Sequence, residues 1–187
     1  MVNKRKAWSG IISGFKASNL VFLDESGCNT DMTRRYAYSV GGSRAVDSAP
    51  LSKPKSTTIL SSIQSDGTLR YTTFSGGTTV EKFKGYLETD LLPYLNSDSV
   101  LIMDNMRSHH AKAVTALLDQ AKVRYIYLPP YSPDLNPIEK LWSKVKALLR
   151  KFKARSADKL LDAIQKAISA VTRSDCSGWF RSCGYVL

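Results

Sequence analysis

The sequence has no hydrophobic run long enough for a membrane span, and it is poor in cysteine. None of its 187 residues lies in a stretch approaching the roughly 18 apolar residues of a transmembrane helix, and no signal-peptide apolar region follows the basic N-terminus. Cys28, Cys176 and Cys183 are odd in number and match no metal-binding spacing. We therefore expect three ordinary thiols, a reducing cytoplasm and no membrane partner.

Several signatures of other enzyme classes are also missing. The chain contains no G-x-S-x-G motif, no Walker loop and no glycine-rich dinucleotide motif. These absences argue against a serine hydrolase, a P-loop nucleotidase and a Rossmann-type oxidoreductase.

Acidic residues are scarce relative to basic ones. The chain carries 27 Lys and Arg against 16 Asp and Glu, a net charge of +11, and 43% of its residues are hydrophobic. This length and composition are typical of one globular domain. The charge indicates a polyanionic partner, for which nucleic acid and a membrane surface are the two candidates, and with no membrane span present we expect nucleic acid.

Two of the few acids follow short apolar runs. Leu20–Leu23 leads into Asp24, and Val100–Met103 leads into Asp104. Such runs predict strands that are buried on both faces, and acids at their carboxyl ends lie where open α/β sheets hold ligands. Asp is also common in turns, so either acid alone is weak evidence.

A third acid, Glu139, begins a helix that is entered through a proline-rich loop. Asn136 suits an N-cap, Pro137 suits the first helical position, and Glu139 stands where a capping box places its acid. Glu139 also lies beside the apolar stripe of this helix, at the edge of the core. It is therefore either a capping glutamate or the third carboxylate of a site.

The remaining pattern predicts antiparallel strands followed by alternating helices and strands. Strands are expected at residues 34–40, 56–64, 69–74 and 124–128, with a hairpin at Asp66-Gly67, and helices at residues 78–95, 111–121, from 138 and from 156. This order predicts an α/β, ribonuclease-H-like domain over residues 20–187, with a mixed five-stranded sheet flanked by helices. Residues 1–19 are predicted to be a basic linker or arm, or the end of a lost domain.

Three motifs carry a resemblance to a known family: VFLDESG at Asp24, MDNMRSHH at Asp104, and LPPYSPDLNPIEKLW at Glu139. With MTRRYAYS and the closing WFRSCGY, they resemble the DDE transposases of mariner-related bacterial insertion sequences, the insertion-sequence-630 type, over about residues 20–185. Thirty-four residues separate Asp104 from Glu139, which is typical of that group.

The resemblance implies that Asp24, Asp104 and Glu139 are catalytic metal ligands. Phosphodiester transfer needs charge stabilised on the attacking and leaving oxygens, and two hard cations held by carboxylates supply this. The expected cofactor is Mg²⁺ or Mn²⁺, as two ions, because this is the usual requirement of the family.

The resemblance also implies partners. Members act on double-stranded DNA at transposon ends and at a target, usually as homodimers, and carry N-terminal helix-turn-helix domains. We expect either that the DNA-binding half is a separate polypeptide or that this chain is a truncated copy of a transposase with an intact active site. The expected location is the bacterial cytoplasm, in association with the nucleoid.

Further residues have supporting or DNA-binding assignments. Asn105 and His109 match family positions. Each is expected either to orient a ligand or contact a phosphate, or to serve only as a turn residue (Asn105) or a helix-start residue (His109). Glu25 is not ranked as a ligand, because it points to the opposite side of an extended strand from Asp24. Lys146, Arg150 and Lys153 continue the face of Glu139 and are predicted to contact phosphates, unless they serve only solubility.

Three functions remain open from the sequence. The leading one is a metal-dependent DNA endonuclease and strand transferase. The alternatives are a general ribonuclease-H-like nuclease without specificity for element ends, and a catalytically idle DNA-binding remnant.

Overall fold

The computed structural model describes residues 2–34, 36–48, 50–51, 54 and 56–186. The described residues form five strands in one sheet: β1 (Leu20–Cys28), β2 (Thr57–Ile63), β3 (Leu69–Ser75), β4 (Val100–Met103) and β5 (Arg124–Tyr127). Their order is β3-β2-β1-β4-β5. The first three strands pair antiparallel, whereas β1 with β4 and β4 with β5 pair parallel. This mixed sheet confirms the predicted ribonuclease-H-like fold class.

Helices flank both faces of the sheet. Those in the described residues are α1 (Val2–Ile12), α2 (Val80–Tyr86), α3 (Lys112–Gln120), α4 (Ile138–Phe152), α5 (Ala157–Ser169) and α6 (Arg173–Ser182). None of them is both long and apolar enough to cross a bilayer.

Strand β1 separates two hydrophobic layers because successive side chains point to opposite faces. Leu20 and Phe22 lie in a cluster with residues of α4, α5 and α6, whereas Val21 and Leu23 lie in a second cluster with residues of α2 and α3. All four side chains are buried. This two-sided burial explains why the run is continuously apolar instead of alternating, as expected for a central strand with parallel pairing.

Local signals place several element boundaries. The side chains of Thr79 and Ser156 accept hydrogen bonds from the first turns of α2 and α5, and Thr172 forms a capping box with Asp175 at the start of α6. Gly67, with φ of +95°, turns the chain between β2 and β3. The predicted hairpin is confirmed, whereas α6 has no counterpart in the sequence prediction.

The strand predicted at residues 34–40 is wrong for the residues that the structure describes there, which have no regular structure. Tyr36 and Tyr38 are fully or almost fully exposed, at 90% and 105%. β-branched and aromatic residues favour a strand only where a neighbouring strand and a buried face exist, and neither is found here. Residue 35 lies outside the described part.

The single helix predicted over residues 78–95 is also incorrect beyond Tyr86. The chain widens into a π-turn over Leu87–Leu91 and then tightens into a 3₁₀ turn over Leu92–Tyr94. Pro93 accounts for this ending, because its ring has no N–H and clashes with the carbonyl four residues earlier in an α-helix. The π-turn keeps Leu87 and Leu91 buried on the inner side.

The N-terminal segment contains α1 and a short 3₁₀ turn over Ala17–Asn19. Trp8 of α1 is buried in the same cluster as residues of α4 to α6. Arg5 forms an ion pair with Asp134 in the loop before α4. Helix α1 is thus attached to the loop that leads to Glu139.

Candidate active site

Asp24, Asp104 and Glu139 line one cleft of about 460 Å³. Leu23 of β1 pairs with Met103 of β4 in parallel register, so the residues that follow them, Asp24 and Asp104, are neighbours. Asp104 directly follows the end of β4 as predicted, whereas Asp24 lies within β1, which continues to Cys28, and not at its carboxyl end. The loop between β5 and α4 forms the opposite wall and brings in Glu139. The structure therefore places the three carboxylates that the sequence predicted around one cleft.

Asp24 is the most buried of the three, with 8% of its surface exposed. Its Oδ2 accepts a hydrogen bond of 3.0 Å from the indole Nε1 of Trp142 on α4. Burial raises the pKa of Asp24 to about 7, and the negative charges of Asp104 and Glu25 add to this, although the Trp142 bond and the Glu25 N–H oppose it. No Lys or Arg among the described residues forms an ion pair with Asp24.

Asp104 is half-exposed, and two donors hold its Oδ1. The backbone N–H of Met106 donates to this oxygen over 2.9 Å, and Nδ1 of His109 lies 2.9 Å from it. Burial alone would raise the pKa of Asp104, but these hydrogen bonds and the charges of His109 and His110 outweigh it and lower the pKa. Oδ2 has no hydrogen-bond donor among the described residues.

Glu139 is exposed and does not cap its helix. Helix α4 has no side-chain cap bond, and the buried Oδ1 of Asn136 has no partner within the described structure. The predicted capping box is therefore wrong, because the turn at Asn136 is closed by backbone bonds, including Glu139 N–H to the Asn136 carbonyl over 3.2 Å. The Glu139 side chain lines the cleft and makes no hydrogen bond or ion pair with the described residues.

His109 is completely buried and lies between two carboxylates. Its Nε2 is 3.1 Å from Oε1 of Glu25, and its Nδ1 contacts Asp104. Burial alone would lower the pKa of His109, but these two partners outweigh it and raise the pKa to about 9. Both ring nitrogens therefore face carboxylate oxygens.

Asn105 contributes to the wall of the cleft. Its Nδ2 donates to the carbonyl of Leu128 over 2.5 Å, which ties the loop after β4 to the end of β5. The side-chain amide therefore holds together two loops that line the cleft, and its predicted contact with a ligand or phosphate stays a prediction.

The three predicted phosphate contacts are separated in the structure. Lys146 and Arg150 are half-buried and line a polar groove of about 380 Å³ against residues 27–33, the end of β1 and the loop that follows it. Lys153 instead ends α4 with a left-handed backbone, at φ of +51°, and pairs with Asp47 over 2.7 Å. Only the first two share this groove.

Two residues of the site were not recognised in the sequence. Trp142 was interpreted only as part of the apolar stripe of α4, and Glu25 was set aside because it faces away from Asp24. The spacing of Trp142, three residues after Glu139, was a usable signal, since it places the indole on the inner side of the same helix turn. Nothing in the local pattern signals the contact of Glu25 with His109.

No three His, Cys, Asp or Glu side chains in the described residues stand close enough, as placed, to hold one metal ion. The donor set nevertheless consists of carboxylate oxygens, which hard divalent cations prefer. A buried Asp24 without a cationic partner, together with an unbonded Glu139 at the rim, fits a cation that enters between them.

Comparisons with known proteins agree with this architecture. The sequence profile of a family described as DDE superfamily endonuclease matches residues 19–161. The transposable element Tcb2 transposase of Caenorhabditis briggsae is 30% identical over 96 residues, which cover 49% of this chain and 35% of that protein. The matched part thus spans about a third of the curated relative.

Solved structures with the same fold include two complexes of Mos1. A pre-cleavage Mos1 transpososome superposes with a TM-score of 0.81 at 18% identity, over 96% of this chain and 57% of that chain. A Mos1 mariner paired-end complex with Mn gives a TM-score of 0.78 at 20% identity, over 95% of this chain and 56% of that chain. These similarities show a shared fold, and because the family profile covers most of the sequence, the chain belongs to the DDE superfamily of endonucleases.

Proposed function

We propose that the chain is the catalytic domain of a metal-dependent transposase that cuts and joins phosphodiester bonds at the ends of a transposable element. The observation that carries this proposal is the single cleft lined by Asp24, Asp104 and Glu139. Family membership supports the reaction class. The finer assignment, to the insertion-sequence-630 type of bacterial element, rests on the SPDLNPIE and DESG motifs.

We propose that these three carboxylates hold Mg²⁺ or Mn²⁺, as two ions. The metal ions supply charge stabilisation for the attacking and leaving oxygens of the phosphodiester. The chain's residues place the ligands: Trp142 holds Asp24, and His109 holds Asp104, each at the distances given above. The solved Mos1 complex with Mn supports the choice of cation.

The groove beside α4 is proposed to hold the DNA backbone next to the cleft. Lys146 and Arg150 follow Glu139 by seven and eleven residues, so they lie about 10 Å and 16 Å further along the helix on the same face. Neither pairs with an acid in the described structure. Arg155 donates to the carbonyls of Thr30 and Met32 and so fixes the other wall of the groove.

Salt dependence of DNA binding tests this groove. Changing Lys146 and Arg150 together to Ala should lower the slope of log K against log salt by about 1.8, because each lost phosphate contact contributes about 0.9. The exposed Lys166 of α5 provides the control, and Lys166→Ala should leave the slope unchanged. Lys153→Ala should have a smaller effect than either groove residue, since Lys153 is engaged by Asp47. An equal slope for the double variant and the parent contradicts the groove assignment.

The full transposition reaction is proposed to need further partners. We propose a homodimer on double-stranded DNA and a helix-turn-helix half that recognises the element ends. The proposed location is the bacterial cytoplasm, in association with the nucleoid. The division into a basic segment at residues 1–19 and a catalytic domain at residues 20–187 is likewise a proposal, and α1 within the first segment contributes Trp8 to the core.

A cleavage assay tests the proposed function against the alternatives. Labelled duplexes with and without candidate inverted repeats are incubated with the chain in Mg²⁺, Mn²⁺ or Ca²⁺. We expect cleavage in Mg²⁺ or Mn²⁺ but not in Ca²⁺, which prefers longer bonds and looser geometry. Cleavage that is indifferent to the repeats, even when a helix-turn-helix half is supplied, would favour the general nuclease. Binding without cleavage in every metal would favour the idle remnant.

A further inference from the structure

A buried series of contacts connects Asp104 to the far side of β1. Glu25 directly follows Asp24, so its side chain lies on the opposite face of the strand. That side chain is 5% exposed, and its Oε1 is 3.1 Å from Nε2 of His109. The other ring nitrogen of His109 is 2.9 Å from Oδ1 of Asp104. The imidazole of His109 thus links Glu25, the neighbour of Asp24, to Asp104.

The surroundings of His109 hold its ring in one place. The ring stacks on Phe83 of α2 with centroids 4.3 Å apart, and the hydroxyl of Tyr127 donates to the His109 carbonyl over 2.9 Å. With ring and backbone both held, the contact to Asp104 has a defined direction.

Stability alone does not account for Glu25. A buried ion pair gains little over well-packed apolar side chains of similar size, because removing two charges from water is costly. Here Oε2 of Glu25 is buried without a hydrogen-bond partner in the described structure, which adds to the cost. The position of Glu25 is better explained by its effect on His109 and, through His109, on Asp104.

That effect is visible at Asp104. Both of its donors, His109 and the Met106 N–H, contact Oδ1 and leave Oδ2 without a donor among the described residues. Glu25 fixes the Nε2 edge of the ring, and it thereby fixes the direction in which Nδ1 meets Oδ1 of Asp104.

We propose that Glu25 is a positioning residue that acts through His109: it holds the carboxylate of Asp104 in one orientation, with Oδ2 left open to a divalent cation. This inference rests on the proposed function, because it requires Asp104 to bind a metal. Residues that hydrogen-bond to metal ligands commonly change metal affinity 10- to 100-fold when they are altered.

The test measures Mn²⁺ affinity of the full chain by calorimetry, without DNA, well below the unfolding temperature. Glu25→Gln keeps the size of the side chain but removes its charge, and we expect it to weaken Mn²⁺ binding about tenfold. Asp119→Asn removes one carboxylate from the surface of α3, outside the cleft, and should leave the affinity unchanged. Parent-like Mn²⁺ affinity in Glu25→Gln, with at most a lower unfolding temperature, would show that Glu25 is only structural.

A double-mutant cycle tests whether Glu25 acts through His109. His109→Leu removes both contacts, so adding Glu25→Gln to it should cause no further loss of Mn²⁺ affinity. If the two losses instead multiply, the residues act independently and the proposal fails. Should Glu25→Gln not fold, His109→Asn replaces it, because Asn retains a donor near Asp104 but is too short to reach Glu25. It should weaken Mn²⁺ binding similarly, and parent-like binding would overturn the proposal.

Mn²⁺ binding by the parent and by two variants separates an error in the role of Glu25 from an error in the proposed metal site. If the parent binds Mn²⁺ and Asp104→Asn abolishes binding while Glu25→Gln does not affect it, only the role of Glu25 is refuted. If the parent binds no Mn²⁺ at all, the metal site and the role of Glu25 are refuted together.

Discussion

Replacing Glu139 by Gln separates the catalytic role of this residue from a structural one. The side chain is exposed and has no hydrogen bond or ion pair with the described residues, so folding should depend on it only through its negative charge in the first turn of α4. Loss of that charge at a helix N-terminus costs about 0.3–1 kcal/mol. For a protein of this size we expect the unfolding temperature to fall by no more than about 4 °C.

The expected effect on catalysis is much larger. A metal ion at the reacting phosphate contributes several kcal/mol of charge stabilisation. Losing about 3 kcal/mol of it by removing one ligand corresponds to more than a hundredfold slower cleavage. DNA binding in Ca²⁺ should persist or improve, because one carboxylate no longer repels the phosphate. The assay is single-turnover cleavage of labelled duplex in Mg²⁺ and Mn²⁺, with thermal unfolding measured on the same preparation.

Helix α2 offers a matched control for this experiment. Glu81 is exposed and is the second residue of α2, as Glu139 is of α4, but it lies outside the cleft. Glu81→Gln should therefore leave the cleavage rate unchanged. If Glu139→Gln cleaves DNA as fast as the parent and Glu81→Gln do, Glu139 is not a ligand and the three-carboxylate site is refuted.

Three further outcomes are expected. Trp142→Phe removes the hydrogen bond to Asp24 and should raise the pKa of that carboxyl above about 7, so calorimetry should show weaker Mn²⁺ binding that recovers at higher pH. Asp175→Ala should lower the free energy of unfolding by about 1 kcal/mol at pH 7, because a helix cap and an ion pair with Lys144 are lost. Lys144 and the N–H of Thr172 lower the pKa of Asp175 in the folded protein. The difference in unfolding free energy, measured by denaturant titration, should therefore be present above the pKa of Asp175 in the unfolded chain, near 3.8. It should disappear as the pH falls through the lower pKa of Asp175 in the folded protein. The three buried cysteines, with the pKa of Cys176 raised to about 11 by burial, should react with a thiol reagent only after denaturation.

Much of the architecture could be predicted because its signals are local. The apolar runs before Asp24 and Asp104 are continuous because both strands are buried on both faces, and the structure confirms β1 and β4. Asp66-Gly67 predicted a hairpin because glycine readily adopts the positive φ that the turn requires. In each case a few neighbouring residues contain the physical cause.

The predictions that failed depended on groups distant in the sequence. The aromatic residues near Tyr36 favour a strand, but no strand pairs with them in the described structure. Asn136 has a side chain suited to capping, but its Oδ1 is buried and unpaired in the fold. Local preference ranks conformations, and tertiary packing selects among them.

The sequence by itself determined which face of each element the candidate site residues occupy. Alternation along β1 places Asp24 and Glu25 on opposite faces, and the helical period of α4 places Glu139 near its buried stripe. These conclusions follow from backbone geometry, which is the same in every strand and helix.

Only the tertiary structure decided how those residues meet. Trp142 reaches Asp24 across 118 positions of sequence, and His109 reaches Glu25 across 84. Both contacts depend on the order of strands in the sheet and on where α4 and the loop after β4 pack against it. No local period encodes such distances, because they arise from the way complete elements bury their apolar faces together.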